Sequence, residues 1–383
     1  MKCPVVSLCL LLTIAASAGA VYKRVCYFTN WSQYRPGAAK FTGKNIDPSL
    51  CSHIVYAFAK LTSWHTVDKV EWNDQNNNAG YKLVNDMKTT NPGLKTLLAI
   101  GGWNAGTATM RSMLATSATR QTFIQSTITY LRRWNFDGMD LDFEYPGSSD
   151  KLKYTLMAKE MHAAFVAESS SLGKPRLLLT AAVPAGKSAI DNGYEVAKIA
   201  QYFDWIGLME YDLHSKRESI TGANAPLFPR QGETGAQREL NVEWAANYWV
   251  SKGCPKSKLV IGMATYGRSF RLSNANNNGM GAAASGDPDD GTFTHEVGIY
   301  SYYDICQSFL SGGGTVNWHS EHRVPYASKG TNWVGYDNAR SLKEKVAWLK
   351  KEGFAGWMVW TLDFDDSFCS SHTSYPLLKA LNA

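Results

Sequence analysis

Charge is sparse in this 383-residue chain and nowhere forms a block. Charged residues make up 19% of the sequence and the formal net charge is +6. Lys and Arg are scattered, so nothing is built to grip a row of phosphates, which argues against nucleic acid as a partner. No stretch is long and apolar enough to span a bilayer with confidence, so no membrane partner is expected either. Fixed-period repeats, low-complexity tails and Ser/Thr/Pro-rich linkers are missing, and no separate binding module is expected. The one short apolar run, 5–14, follows Lys2 and precedes Ala18-Gly19-Ala20. A positive start, a short apolar run and a small-x-small site predict a signal peptide over 1–20, with a secreted chain starting at Val21. Cysteine is scarce too. Cys3 and Cys9 leave with that segment, and Cys26, Cys51, Cys254, Cys306 and Cys369 remain. Five is odd, so at most two disulfides form in an oxidising compartment, and the residues alone leave the pairing open.

What the chain has in quantity is aromatic surface. It carries 13 Trp and 19 Tyr, and such rings either fill a core or offer flat faces for sugars or bases. Apolar runs at 25–30, 52–59, 95–100, 136–147, 176–183, 203–211, 259–266 and 354–362 read as strands. Helical spacing falls near 81–87, 120–134, 153–168, 193–202, 242–251, 342–352 and 375–381. Eight near-continuous apolar strands alternating with helices predict an α/β fold, a closed (β/α)8 TIM barrel over 21–383. The stretch 270–338 breaks the alternation and reads as a small α+β insertion between strand 7 and helix 7. Such a barrel carries its active site at the carboxyl ends of the strands.

The fourth strand carries acids at every second place: Asp140, Asp142 and Glu144. Side chains on a strand alternate faces, so all three point to one spot while Met139, Leu141 and Phe143 pack the other way. A solvated acidic edge strand is the plainer reading, but large apolar residues between the acids indicate a buried outer face. Like charges in a row push carboxyl pKa values apart, and Glu144, at the end of the row, is the candidate general acid. Asp137 has the opposite parity and reads as structural. Most glycosidases set two carboxylates across the scissile bond. Acids on one side of one strand suit instead a substrate that supplies its own nucleophile.

The run Asp137-x-x-Asp140-x-Asp142-x-Glu144 resembles the family 18 glycoside hydrolases, the chitinases and chitinase-like lectins. Cys26 to Trp31, Gly101-Gly102-Trp103-Asn104, Met209-x-Tyr211-Asp212, Thr265 to Phe270 and Met358-Val359-Trp360 stand in the same order. The resemblance spans the whole mature chain and is closest to animal secreted chitinases of the acidic mammalian and chitotriosidase type. It implies endo-hydrolysis of chitin or chitooligosaccharides by a monomer with no metal and no cofactor. It also implies a substrate-assisted route through a cyclic oxazolinium ion. In that route Glu144 protonates the leaving oxygen and Asp142 steadies the acetamido nitrogen. Asp140 shares a proton with Asp142, and Tyr211 holds the acetamido oxygen. Trp360 floors the cleaved sugar and Trp103 stacks on the leaving side. Tyr27, Phe58, Gly101, Gly102, Asn104, Tyr145, Met209, Glu210, Asp212, Tyr266 and Arg268 belong to the expected binding set, with Glu71, Trp72 and Glu296 at the rim. Tyr27 and Phe58 also fit plain barrel core. The resemblance pairs Cys26 with Cys51 and Cys306 with Cys369, leaving Cys254 free.

Three departures stand out. Phe143 replaces a usual Trp. Glu210 replaces a small Thr, and its parity turns it towards the helix layer, where a carboxylate needs a partner. His214-Ser215-Lys216-Arg217-Glu218 replaces His-Gly-x-Trp, so Arg217 stands in for an aromatic platform; His214 itself reads as structural. Asn30-Trp31-Ser32 is a formal glycosylation sequon, expected to stay unmodified because it lies at a strand end facing the cleft. A chitin-binding lectin or growth-factor-like protein on the same fold is the rival reading, and a barrel for another sugar is more distant.

Overall fold

The computed structural model describes residues 22–365 and 374–383. The expected signal peptide and Cys369 lie outside the described residues. Eight strands close a parallel ring: β1 (Lys23–Thr29), β2 (His53–Leu61), β4 (Lys95–Gly101), β5 (Gly138–Asp142), β6 (Leu178–Pro184), β7 (Trp205–Met209), β8 (Leu259–Ala264) and β14 (Gly356–Trp360). Pairing of β1 with both β14 and β2 completes the barrel. A short β3 (Val67–Lys69) folds back antiparallel on β2.

Outside the ring lie α1 (Gly80–Thr90), α2 (Ala108–Leu114), α3 (Ser117–Arg133), α4 (Lys151–Leu172), α5 (Lys187–Gly193), α6 (Val196–Ile199), α7 (Val242–Ser251), α9 (Ala339–Glu352) and α10 (Pro376–Leu381). Polar ends fix where these helices begin and stop. The Asn338 side chain accepts from the Arg340 and Ser341 N–H groups, and Gly353 ends α9 at φ +79°.

Strand parity sorts the core into two layers. Cys26, Phe28, Ile54, Tyr56, Met139, Leu141 and Phe143 pack between ring and helices. Val25, Tyr27, Val55, Ala57, Leu97, Ala99 and Met358 pack inside the ring. The same alternation sends Asp140 and Asp142 inward. Their partners across the ladder are small: Ala99 and Thr180 flank Asp140, and Gly101 and Ala182 flank Asp142. That is how two carboxyl groups fit inside a packed barrel.

Several boundaries differ from expectation. The acid strand is shorter than 136–147: its ladder stops at Asp142, whose carbonyl accepts from Gly102 N–H at 2.8 Å. Glu144 therefore stands just beyond the strand. The helix expected at 193–202 is broken, because Gly193 passes so close to Pro146 that a Cβ would meet its carbonyl oxygen at 2.5 Å. The seventh barrel strand ends at Ala264, two residues before Tyr266. There the chain bends at Thr265, whose hydroxyl donates to Thr361 O at 2.6 Å and accepts from Thr361 N–H at 2.8 Å. Tyr266 and Arg268 thus belong to a second sheet. Its antiparallel strands are β9 (Tyr266–Arg271), β10 (Ile299–Ser301), β11 (Thr315–His319), β12 (Val324–Lys329) and β13 (Asn332–Gly335), in the order β10-β9-β13-β12-β11. With α8 (Tyr302–Ile305) they form the lobe read from the sequence, its sheet starting four residues earlier than 270.

Candidate active site

Asp140 is buried and has both oxygens engaged. Tyr27 Oη donates to Oδ2 at 2.8 Å, and Thr180 Oγ1 donates to Oδ1 at 2.5 Å. Burial raises its pKa to about 6, and these two hydrogen bonds hold it from going higher. Asp142 is also buried, and its Oδ1 has no hydrogen-bond partner. Burial pushes its pKa well up, and the charges of Glu144 and Asp140 push the same way. Asp140 engages Tyr27 and Thr180, and its charge helps raise the pKa of Asp142. Glu144 is half-buried, with its pKa raised to about 7. Burial is the main cause. The Tyr145 hydroxyl and the Trp103 main-chain N–H pull it down, and the Asp212 charge pushes it up. The strongest influence on Glu144 is desolvation, and the acidic neighbour that raises it is Asp212 rather than the acids along the strand.

Around the acids stand groups from six strand ends. Tyr211 presses against Gly262, and its hydroxyl has no protein partner among the described residues. Burial, then the charges of Asp142, Asp212 and Glu144, keep that hydroxyl protonated. Asp212, at φ +60°, accepts from Tyr266 Oη and from Arg268 Nε through one oxygen, both at 2.6 Å. Met209 packs beside Tyr211 in the inner layer. Trp360 stacks on Phe58 with centroids 5.9 Å apart and lies 5.5 Å from Tyr27. Trp31 also stacks on Phe58, at 6.0 Å and 16°. Trp31 was not singled out from the sequence; its place at the end of β1 was the available signal. Gly101 and Gly102 act through their lack of a side chain. A Cβ on Gly101 would meet Asp142 O at 1.9 Å, and one on Gly102 would meet the Phe58 ring at 2.7 Å. Trp103 and Trp72 stand 64% and 67% exposed. Asn104 and Glu296 are exposed, and Glu71 accepts from Tyr34 Oη at 2.5 Å. Asp137 is structural, as its parity implies: it accepts from Thr96 N–H at 2.9 Å and pairs with Lys88 at 3.0 Å.

Residues 23–365 match the family model described as glycosyl hydrolases family 18. The chain belongs to that family. It is 46% identical to mouse (Mus musculus) chitotriosidase-1 over 376 residues, covering 95% of this chain and 78% of that protein. An immunomodulatory active chitinase from Trichuris suis superposes with a TM-score of 0.92 at 44% identity, over 94% of this chain and 99% of that one. Human YKL-39, a pseudo-chitinase with retained chitooligosaccharide binding properties, superposes with a TM-score of 0.90 at 41% identity, over 94% and 98%.

Within this family 18 glycoside hydrolase, Glu210 is the residue that the structure moves out of the substrate-binding set. It is fully buried on the helix side of β7, and neither carboxylate oxygen has a hydrogen-bond partner. Burial drives its pKa well up, against weaker pulls from the Gly262 main chain and the Lys345 charge. Lys345 gives two of its three ammonium donors to the oxygens of Asp337, both at 2.7 Å, and makes no hydrogen bond to Glu210.

The altered loop after β7 is held at both ends. His214 Nδ1 pairs with Glu218 Oε2 at 2.7 Å, and its ring packs where a Cβ on Gly222 would sit, so His214 is structural. Lys216 pairs with Asp287 of the lobe, and Arg217 is exposed between them. Asn30 of the sequon is buried and donates to Phe58 O and Asp74 at 3.2 Å, which leaves no room for a glycan. Cys26 and Cys51 form a disulfide, Cys306 is disulfide-bonded and Cys254 is buried and free. Among the described residues no helix is long and apolar enough to cross a membrane.

Proposed function

We propose that this glycoside hydrolase is a secreted monomeric endo-chitinase that cleaves β-1,4-linked N-acetylglucosamine polymers with retention of configuration. The observation that carries the reading is Glu144, a half-buried acid with a pKa of about 7 beside a buried Asp142. A carboxyl group raised towards neutral pH can carry the proton that a general acid must give. Glu144 gives its proton to the leaving glycosidic oxygen. The substrate's acetamido oxygen attacks its own anomeric carbon, and the ring closes to an oxazolinium ion. Asp142 accepts from the acetamido N–H and balances the positive charge. The Tyr211 hydroxyl, unpartnered in the protein, donates to the acetamido oxygen and fixes its approach. Asp140, tied to Tyr27 and Thr180, keeps the floor beneath Asp142 in place. Glu144, now a carboxylate, takes a proton from water; the hydroxide adds at the anomeric carbon and opens the ion. Trp360 with Phe58 and Trp31 supplies the apolar floor. No residue of this scheme calls for a metal or cofactor. Secretion through residues 1–20 agrees with the Cys26–Cys51 disulfide.

Glu144→Gln keeps the shape and removes the proton. Turnover of a fluorogenic chitobioside should fall about 10²- to 10⁴-fold while chitooligosaccharide affinity survives. Unchanged turnover would sink the assignment. A lectin that binds without cutting is the second reading, favoured by Arg217 where a stacking ring is expected and by the likeness to YKL-39. Absence of turnover in the unaltered protein would decide for it.

A further inference from the structure

The hairpin joining β2 to β3 carries the most exposed large apolar side chain among the described residues. Trp64 at its tip is 80% exposed. Its neighbours Thr62, Ser63, His65 and Thr66 are the polar residues usual at a turn; the indole is the exception.

The tip is nevertheless held firmly. Thr62 N–H donates to Thr66 O at 2.9 Å, His65 N–H donates to Thr62 O at 3.0 Å, and the two threonine hydroxyls bond at 2.8 Å. His65 takes φ +59°, a conformation that side-chain-bearing residues seldom adopt. Its Nε2 bonds Ser112 Oγ of α2 at 2.9 Å, and Val67 N–H donates to Ser126 Oγ of α3 at 2.9 Å. Two helices thus fix a turn whose largest side chain touches water.

The hairpin is also continuous with the cleft. It rises from Phe58, on which Trp31 and Trp360 stack, and returns to Trp72 at the rim. The eight residue steps from Trp64 to Trp72 span at most about 26 Å if fully extended. The main chain at Trp72 is tied down too, since Lys69 Nζ donates to its carbonyl at 3.1 Å.

We infer that Trp64 is an accessory stacking site for the polymer, through which the hairpin engages insoluble chitin outside the cleft. The inference rests on the chitinase reading above. A β-1,4-linked pyranose chain offers flat C–H faces with hydroxyl and amide edges. An exposed indole carried on a turn with a fixed main chain, among polar side chains, matches that pattern.

The test is adsorption to insoluble chitin, measured in a Glu144→Gln background so that the surface is not eroded. Adding Trp64→Ala should weaken adsorption about three- to tenfold, and Trp64→Tyr should restore most of it. Unchanged adsorption overturns the inference. So does an equal loss of adsorption to phenyl-coated beads, which marks a general apolar patch. Thermal melting confirms that each variant is folded. Soluble chitobioside turnover, compared between the unaltered protein and Glu144→Gln alone, tests the chitinase reading separately.

Discussion

Burial raises the pKa of Glu144, and of the neighbours that adjust it one is easily removed. Tyr145 hydrogen-bonds the carboxylate and so lowers its pKa, while burial and Asp212 raise it. The protonated form is the acid, so kcat/KM should fall as pH rises through about 7. Tyr145→Phe removes the hydrogen bond and should move that alkaline limb upward by roughly one unit, since a hydrogen bond to a charged group is worth about 1.5 kcal/mol. A pH profile on a soluble fluorogenic substrate checks it; a downward shift contradicts the assignment. At this scale the acid row was legible because period 2 is a property of the backbone, and it put Asp140 and Asp142 on one face. Asp140's bonds to Tyr27 and Thr180 were not legible, because they join residues 113 and 40 positions apart. Trp31 was hidden for another reason. Its place just after β1 was the one signal, and the stack on Phe58 joins it to a different strand, β2.

On the strand β7 and its continuation, alternate residues serve different layers. Met209 and Tyr211 belong to the inner cluster, and Glu210 is buried behind them without a partner. Its folded pKa lies above the ordinary carboxyl value, so the native form binds the proton more tightly than the unfolded chain. Stability is therefore lost as pH rises from the ordinary value towards the raised one. Glu210→Gln removes the ionisation and should stabilise the protein at pH 8 by about 1–3 kcal/mol. The gain should vanish near pH 4, where both states of the parent hold the proton. Melting temperatures at the two pH values test this; a variant less stable than the parent at pH 8 would refute it. Parity made the direction of Glu210 legible, but whether a partner waited there depended on Lys345, already committed to Asp337. Element boundaries were least legible where another segment intrudes, as Pro146 does at Gly193.

At the scale of the whole molecule, the ring closes between β1 and β2, and there the Cys26–Cys51 disulfide shortens the connection. A cross-link over 25 residues restricts the unfolded chain and is worth about 3–4 kcal/mol. Cys26→Ala with Cys51→Ala should lower the urea midpoint accordingly while leaving the fold closed; an unchanged midpoint would show that the bond is dispensable. The barrel was legible from eight apolar strands, because a parallel sheet covered on both faces leaves a long apolar trace. The lobe was legible only as an interruption. Its strands are three to six residues long, and their antiparallel pairs join segments with no shared pattern.

The bend at Thr265 passes the chain from one sheet into another that shares no ladder with it. β8 is paired on both sides within the ring, by β7 and β14, and β9 is paired on both sides within the lobe, by β10 and β13. Each sheet therefore keeps its own register. Changes in the lobe can reshape the wall it gives the cleft through Tyr266 and Arg268 without re-registering any strand of the ring.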